Sequence, residues 1–91
     1  MPERRSVDEL LDFPCPYEFK AFAAAAEDDF AEAVLAAVGR VVPVGRDQLR
    51  VRGSSAGRYQ CVTVCVQLEN SSQLHGIYAN LRALAGLLYL L

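Results

Sequence analysis

Gly53-Ser54-Ser55-Ala56-Gly57-Arg58-Tyr59, continuing as Gln60-Cys61-Val62-Thr63-Val64-Cys65-Val66-Gln67-Leu68 and then Asn70-Ser71-Ser72-Gln73, is the stretch on which the fold turns. Two glycines and two serines relieve the backbone where it must reverse. Val62, Val64, Val66 and Leu68 then fall on one face of a strand, because successive side chains point to opposite sides. Asn70 or Ser71 follows as a helix cap, accepting from amides that the first helical turn leaves free. The order is hairpin, strand, helix.

Upstream of the hairpin, Gln48 to Arg52 alternates Leu49 and Val51 against Gln48, Arg50 and Arg52, and predicts a short second strand. Before it, Phe30, Ala33, Val34, Ala37, Val38 and Val41 recur every three or four residues, an apolar stripe suited to lying on a sheet. Glu27, Asp28 and Asp29 open that helix, and Gly39 to Val42 ends it, with Pro43 and Gly45 beyond. Tyr17 to Ala24 is the first strand, with Tyr17, Phe19 and Ala21 on one side and Glu18, Lys20 and Phe22 on the other. Pro14 and Pro16 stop any helix before it. Residues 1–12 are polar and predict a flexible tail, leaving 13–91 as a single domain.

Downstream, Leu74, Ile77, Tyr78, Leu81 and Leu84 make the buried stripe of the second helix, with Asn80 and Arg82 facing outward and Gly76 weakening it slightly. Gly86 breaks this pattern, and Leu87 to Leu91 supplies a last strand. The succession βαββαβ predicts an α+β, two-layer ferredoxin-like sandwich. Its antiparallel sheet takes the order 4-1-3-2, with both helices on one face.

Three pieces of this pattern carry a resemblance: Asp12-Phe13-Pro14-Cys15-Pro16-Tyr17-Glu18-Phe19-Lys20, Ser54-Ser55-Ala56-Gly57-Arg58-Tyr59 leading into Val62-Thr63-Val64, and Ser72-Gln73-Leu74-His75-Gly76-Ile77-Tyr78-Ala79-Asn80-Leu81. Together they resemble the YbeD-like family of small bacterial proteins of unknown function, over about residues 10–91. The resemblance implies a ferredoxin-like fold similar to that of ACT regulatory domains, and no known activity. The chain departs from that family at Ala56, where members often carry lysine, so the turn lacks one cation.

Composition limits function. A chain of 91 residues is one domain, long enough to fold around an apolar core without disulfides or metal. A net charge of −2 gives no general attraction to nucleic acid. Arg4-Arg5 is followed by Asp8-Glu9, not by the apolar core of a signal peptide, and no apolar run is long enough to span a bilayer, so a cytoplasmic location is expected. Cys61 and Cys65, four apart on a strand, lie about 13 Å from each other, too far for a disulfide. With Cys15 they are expected as buried or half-buried free thiols. One histidine and no paired Cys-x-x-Cys argue against a metal, and no cofactor is expected.

Candidate binding residues come from the sheet face that the helices leave uncovered. If the valines point to the helices, then Cys61, Thr63 and Cys65 point away, with Lys20 and Phe22 from the first strand, Arg50 and Arg52 from the second, and Leu88 and Leu90 completing the face. A second candidate is the turn Ser54, Ser55, Gly57 and Arg58, whose successive amides can cradle an anion. His75 is expected to be a solvated helical side chain.

Three functions follow from these residues. The leading one is a non-catalytic regulatory or adaptor module binding a protein partner, a second copy of the chain included, or a small metabolite. The alternative is an RNA-associated module using Arg50, Arg52 and Arg58, although the third strand lacks the stacked aromatics of an RNA-recognition module. The remote alternative is an enzyme with Cys61 or Cys65 as nucleophile, which lacks a base because His75 belongs to the opposite layer.

Overall fold

The computed structural model describes residues 11–54 and 56–91. Four strands, β1 (Cys15–Ala24), β2 (Leu49–Gly53), β3 (Tyr59–Leu68) and β4 (Leu87–Leu90), form one sheet in the order β2-β3-β1-β4. Read from the other edge this is 4-1-3-2, and all three pairings are antiparallel. Helices α1 (Phe30–Gly39) and α2 (Ser71–Arg82) join the strands in the ferredoxin-like βαββαβ succession.

The core lies between sheet and helices. Phe19, Val62, Val64, Val66 and Leu68 from the sheet meet Phe30, Val34 and Val38 from α1 and Leu74, Ile77 and Leu81 from α2, all buried. No polar residue is buried among the described residues, so burial of apolar surface holds the layers together. Tyr78, expected in the core, is only half-buried: its ring packs edge-on to Phe19 at 4.9 Å and its hydroxyl shares a 2.8 Å hydrogen bond with Tyr17. That hydroxyl needs a partner, and the layer edge supplies one.

Several boundaries differ from the sequence reading, each for a local reason. β1 begins at Cys15, before Pro16, where β4 does not reach and β1 is an edge strand that tolerates proline. Asp29 occupies the N-cap of α1 but makes no side-chain cap bond, so the acidic run contributes charge near the helix start and no capping contact. Gln60 does work there instead, its amide donating to the carbonyls of Ala24 and Glu27 at 3.0 and 2.8 Å. Asn80, expected to face outward, donates to the Ala37 carbonyl at 3.0 Å and ties α2 to α1.

Asn70 caps α2 as expected, its Oδ1 accepting from Gln73 N at 2.9 Å. Gln73 returns the bond, its Oε1 accepting from Glu69 N at 2.7 Å. On the other side of the sheet order, Gln48 Nε2 donates to the Cys65 carbonyl and leads the chain into β2. The expected tail falls almost wholly on residues 1–10, outside the described residues; Leu11 packs partly buried against the core.

Candidate functional site

The pairing register arranges the uncovered face into cross-strand rows. One row runs Arg50, Thr63, Lys20 from β2 to β1. The next runs Arg52, Cys61, Phe22, Tyr89 from β2 to β4. Beyond the first row Cys65 stands opposite Glu18. Six of the seven candidate residues thus occupy two adjacent rows, with Cys65 one row away.

Side-chain size gives this face its relief. β3 presents the small side chains of Cys61 and Thr63, while β2 raises Arg50 and Arg52 on one flank and β1 raises Lys20 and Phe22 on the other. The result is a shallow trough of about 380 Å³ along β3. A smaller apolar depression of about 190 Å³ adjoins it beside Tyr59, sharing Phe22, Arg52 and Cys61.

Leu91, whose backbone pairs with that of Lys20, also lines the trough, and Glu18 is the single acidic side chain in that lining. Its oxygens lie 3.8 Å from Lys20 Nζ and 3.9 Å from the Arg50 guanidinium. Both pairs are long and solvent-exposed, the kind that contributes little and yields readily to a better-placed anion. Arg52 has no ion-pair partner among the described residues. The guanidiniums are therefore available.

Two assignments change on β4. Leu88 and Leu90 were expected to complete the open face, but Leu90 pairs with Ala21 and Leu87 with Ala23, both on the helix side. A one-residue bulge at Leu88 breaks the alternation, so residues three apart share a face. Tyr89 takes the open position beside Phe22, ring centroids 5.9 Å apart, and is 61% exposed. A strict period of two puts Leu88 and Leu90 on the open face and passes over Tyr89, and the bulge leaves no mark in five nearly uniform apolar residues.

One of the three thiols also differs from expectation. Cys15 and Cys61 are half-buried, but Cys65 is exposed, since no helix covers this face and its neighbours Glu18 and Gln67 stand in solvent. All three are free. In the hairpin, Ser54 Oγ accepts from the amides of Arg58 and Tyr59, both at 3.2 Å, and Gly57 N donates to the Ser54 carbonyl. Gly57 has φ of +70°, the conformation that calls for glycine there. Those three amides are engaged in holding the turn; Ser55 lies outside the described residues. His75 is exposed on α2, in the layer opposite Cys61 and Cys65. No group of histidine, cysteine and carboxylate side chains suited to a metal occurs among the described residues, and no helix among them is long and apolar enough to cross a membrane.

Residues 8–91 match the family model described as "Protein of unknown function (DUF493)". The chain belongs to this family. Its relatives include a UPF0250 protein of Shewanella loihica, 40% identical over 78 residues and covering 86% of each chain. Another, from Neisseria meningitidis, is 35% identical over 79 residues, again 86% of each chain. The YbeD-like resemblance is thereby correct, and family membership brings no assigned catalytic activity. Among solved structures, the solution structure of HP0495 from H. pylori superposes with a TM-score of 0.66 at 12% identity, over 100% of this chain and 94% of that one. At that identity the likeness concerns the fold alone.

Proposed function

We propose that this DUF493 protein is a non-catalytic module of the cytoplasm, regulatory or adaptor in kind, whose open sheet face receives a protein partner or a small metabolite. The observation that carries the reading is the pair of cross-strand rows, which sets cations, a small-residue floor and the Phe22 ring, backed by Tyr89, around one trough with no helix over it. Exposed surface of this mixed character, next to a core that is complete without it, is what a binding face requires. Three free thiols favour a reducing compartment. The separation of His75 from Cys61 and Cys65 by the sheet favours a non-catalytic role, since nucleophilic cysteine needs a base within hydrogen-bond reach.

The test is capture from cell extract with purified protein, alongside Phe22→Glu and Cys65→Asp, followed by thermal unfolding of each. Wild type is expected to retain a stoichiometric partner that both variants lose while melting like wild type. If both variants retain it, the binding surface is elsewhere; if both unfold, the face belongs to the core.

A further inference from the structure

Resting on the open face as the binding surface, we infer that the trough along β3 binds a nucleoside phosphate, with the phosphate between Arg50, Arg52 and Lys20 and the ring against Phe22.

Charge is the first argument. Among the side chains lining the trough, Lys20, Arg50 and Arg52 against Glu18 leave an excess of two positive charges on a chain whose net charge is −2. A phosphate monoester carries about −1.5 to −2 near neutrality, which matches that excess. Arg50 and Arg52 are two residues apart on one side of β2, so both forks can reach the oxygens of one phosphate, with Thr63 Oγ1 beside them in the same row as Arg50.

Shape is the second argument. Cys61 forms a low floor between Arg52 and Phe22, whose backbones stand two strands apart, roughly 10 Å at the usual strand spacing. That span suits a phosphate and a base joined through a sugar. Tyr89, packed at 5.9 Å behind Phe22, holds its ring in place. A volume of about 380 Å³ falls in the range of small-ligand sites.

The trough also selects against the other occupants. It lies on the sheet face, where the backbone groups of β3 are committed to β1 and β2, so an extended peptide finds no ladder to join. Glu18 closes the end toward Cys65, and the negative net charge opposes a long polyanion.

The experiment is a titration of ¹⁵N-labelled protein with adenosine monophosphate at low salt, repeated with adenosine, inorganic phosphate and a single-stranded octaribonucleotide. Saturable shifts are expected at Arg52, Cys61, Phe22 and Tyr89, tightening as the phosphate gains its second charge above pH about 6. Arg52→Gln and Phe22→Leu should each weaken binding about tenfold, and Glu18→Gln should strengthen it severalfold. Absence of saturable shifts overturns the proposal. So does phosphate alone binding as tightly as the nucleotide, or the octamer binding where the nucleotide does not. If the nucleotide fails while Phe22→Glu still abolishes partner capture, only the ligand class is wrong; if both fail, the open face itself is not the binding surface.

Discussion

Ile77 and Val64 show how much rests on single residues, because both are fully buried where α2 and β3 meet the core. Ile77→Ala should cost about 2–4 kcal/mol, lost contacts plus a cavity that the neighbours fill only in part, and Val64→Ala about 1–3 kcal/mol. Urea unfolding with an unchanged slope checks both. Tyr78 offers a different test. Burial pushes its phenol well above the ordinary tyrosine range, the bond to Tyr17 pushes the same way, and Arg82, 5.6 Å from the ring centre, pulls it back. The folded state therefore holds this proton more tightly than the unfolded chain does. Its contribution is complete below the ordinary pKa of about 10 and declines as pH rises through the higher folded value. Tyr78→Phe should flatten the fall of stability above pH about 10, read from urea unfolding at a series of alkaline pH values.

At the scale of elements, α2 carries both a cap that is well made and a residue that is not. Asn70→Ala should cost about 1 kcal/mol, since the Gln73 amide loses its acceptor. Gly76 sits inside the helix, and a methyl group built there would meet Val41 Cγ2 at 3.5 Å, an ordinary contact. Gly76→Ala should therefore raise stability by about 0.5–1 kcal/mol, seen as a higher urea midpoint. A loss instead would mean that α2 and Val41 are packed more tightly than this distance indicates. Elements with strong periodicity were legible in the chain: β3 from its alternating valines, α1 from Phe30, Val34 and Val38, α2 from its cap and stripe. β4 was legible as a strand but not in its facing, because Leu87-Leu88-Tyr89-Leu90 has no alternation to reveal a bulge.

For the whole molecule, one continuous core joins the sheet to both helices, so unfolding should be a single transition, coincident by tyrosine fluorescence and far-UV circular dichroism. Two separated transitions would show that α1 or β4 melts independently. β1 lies centrally and pairs with β3 some forty residues later and with β4 at the far end of the domain, so folding is expected on the millisecond-to-second scale. The same topology makes the open face. Residues from β2, β3, β1 and β4 come together in rows although the chain separates Phe22 from Tyr89 by most of its length.

Local periodicity and turn chemistry were enough to determine the elements, their order, the face of β3 that is buried and the face that carries Lys20, Phe22, Arg50, Arg52, Cys61, Thr63 and Cys65, because alternation along one strand is a local property. Tertiary structure alone decided which of those residues share a row, that Tyr89 joins them while Leu90 turns inward, that Asn80 faces α1, and that Cys65 stands in solvent. Register across strands, a bulge and the reach of a helix over a sheet depend on contacts between distant segments, and no single segment encodes them.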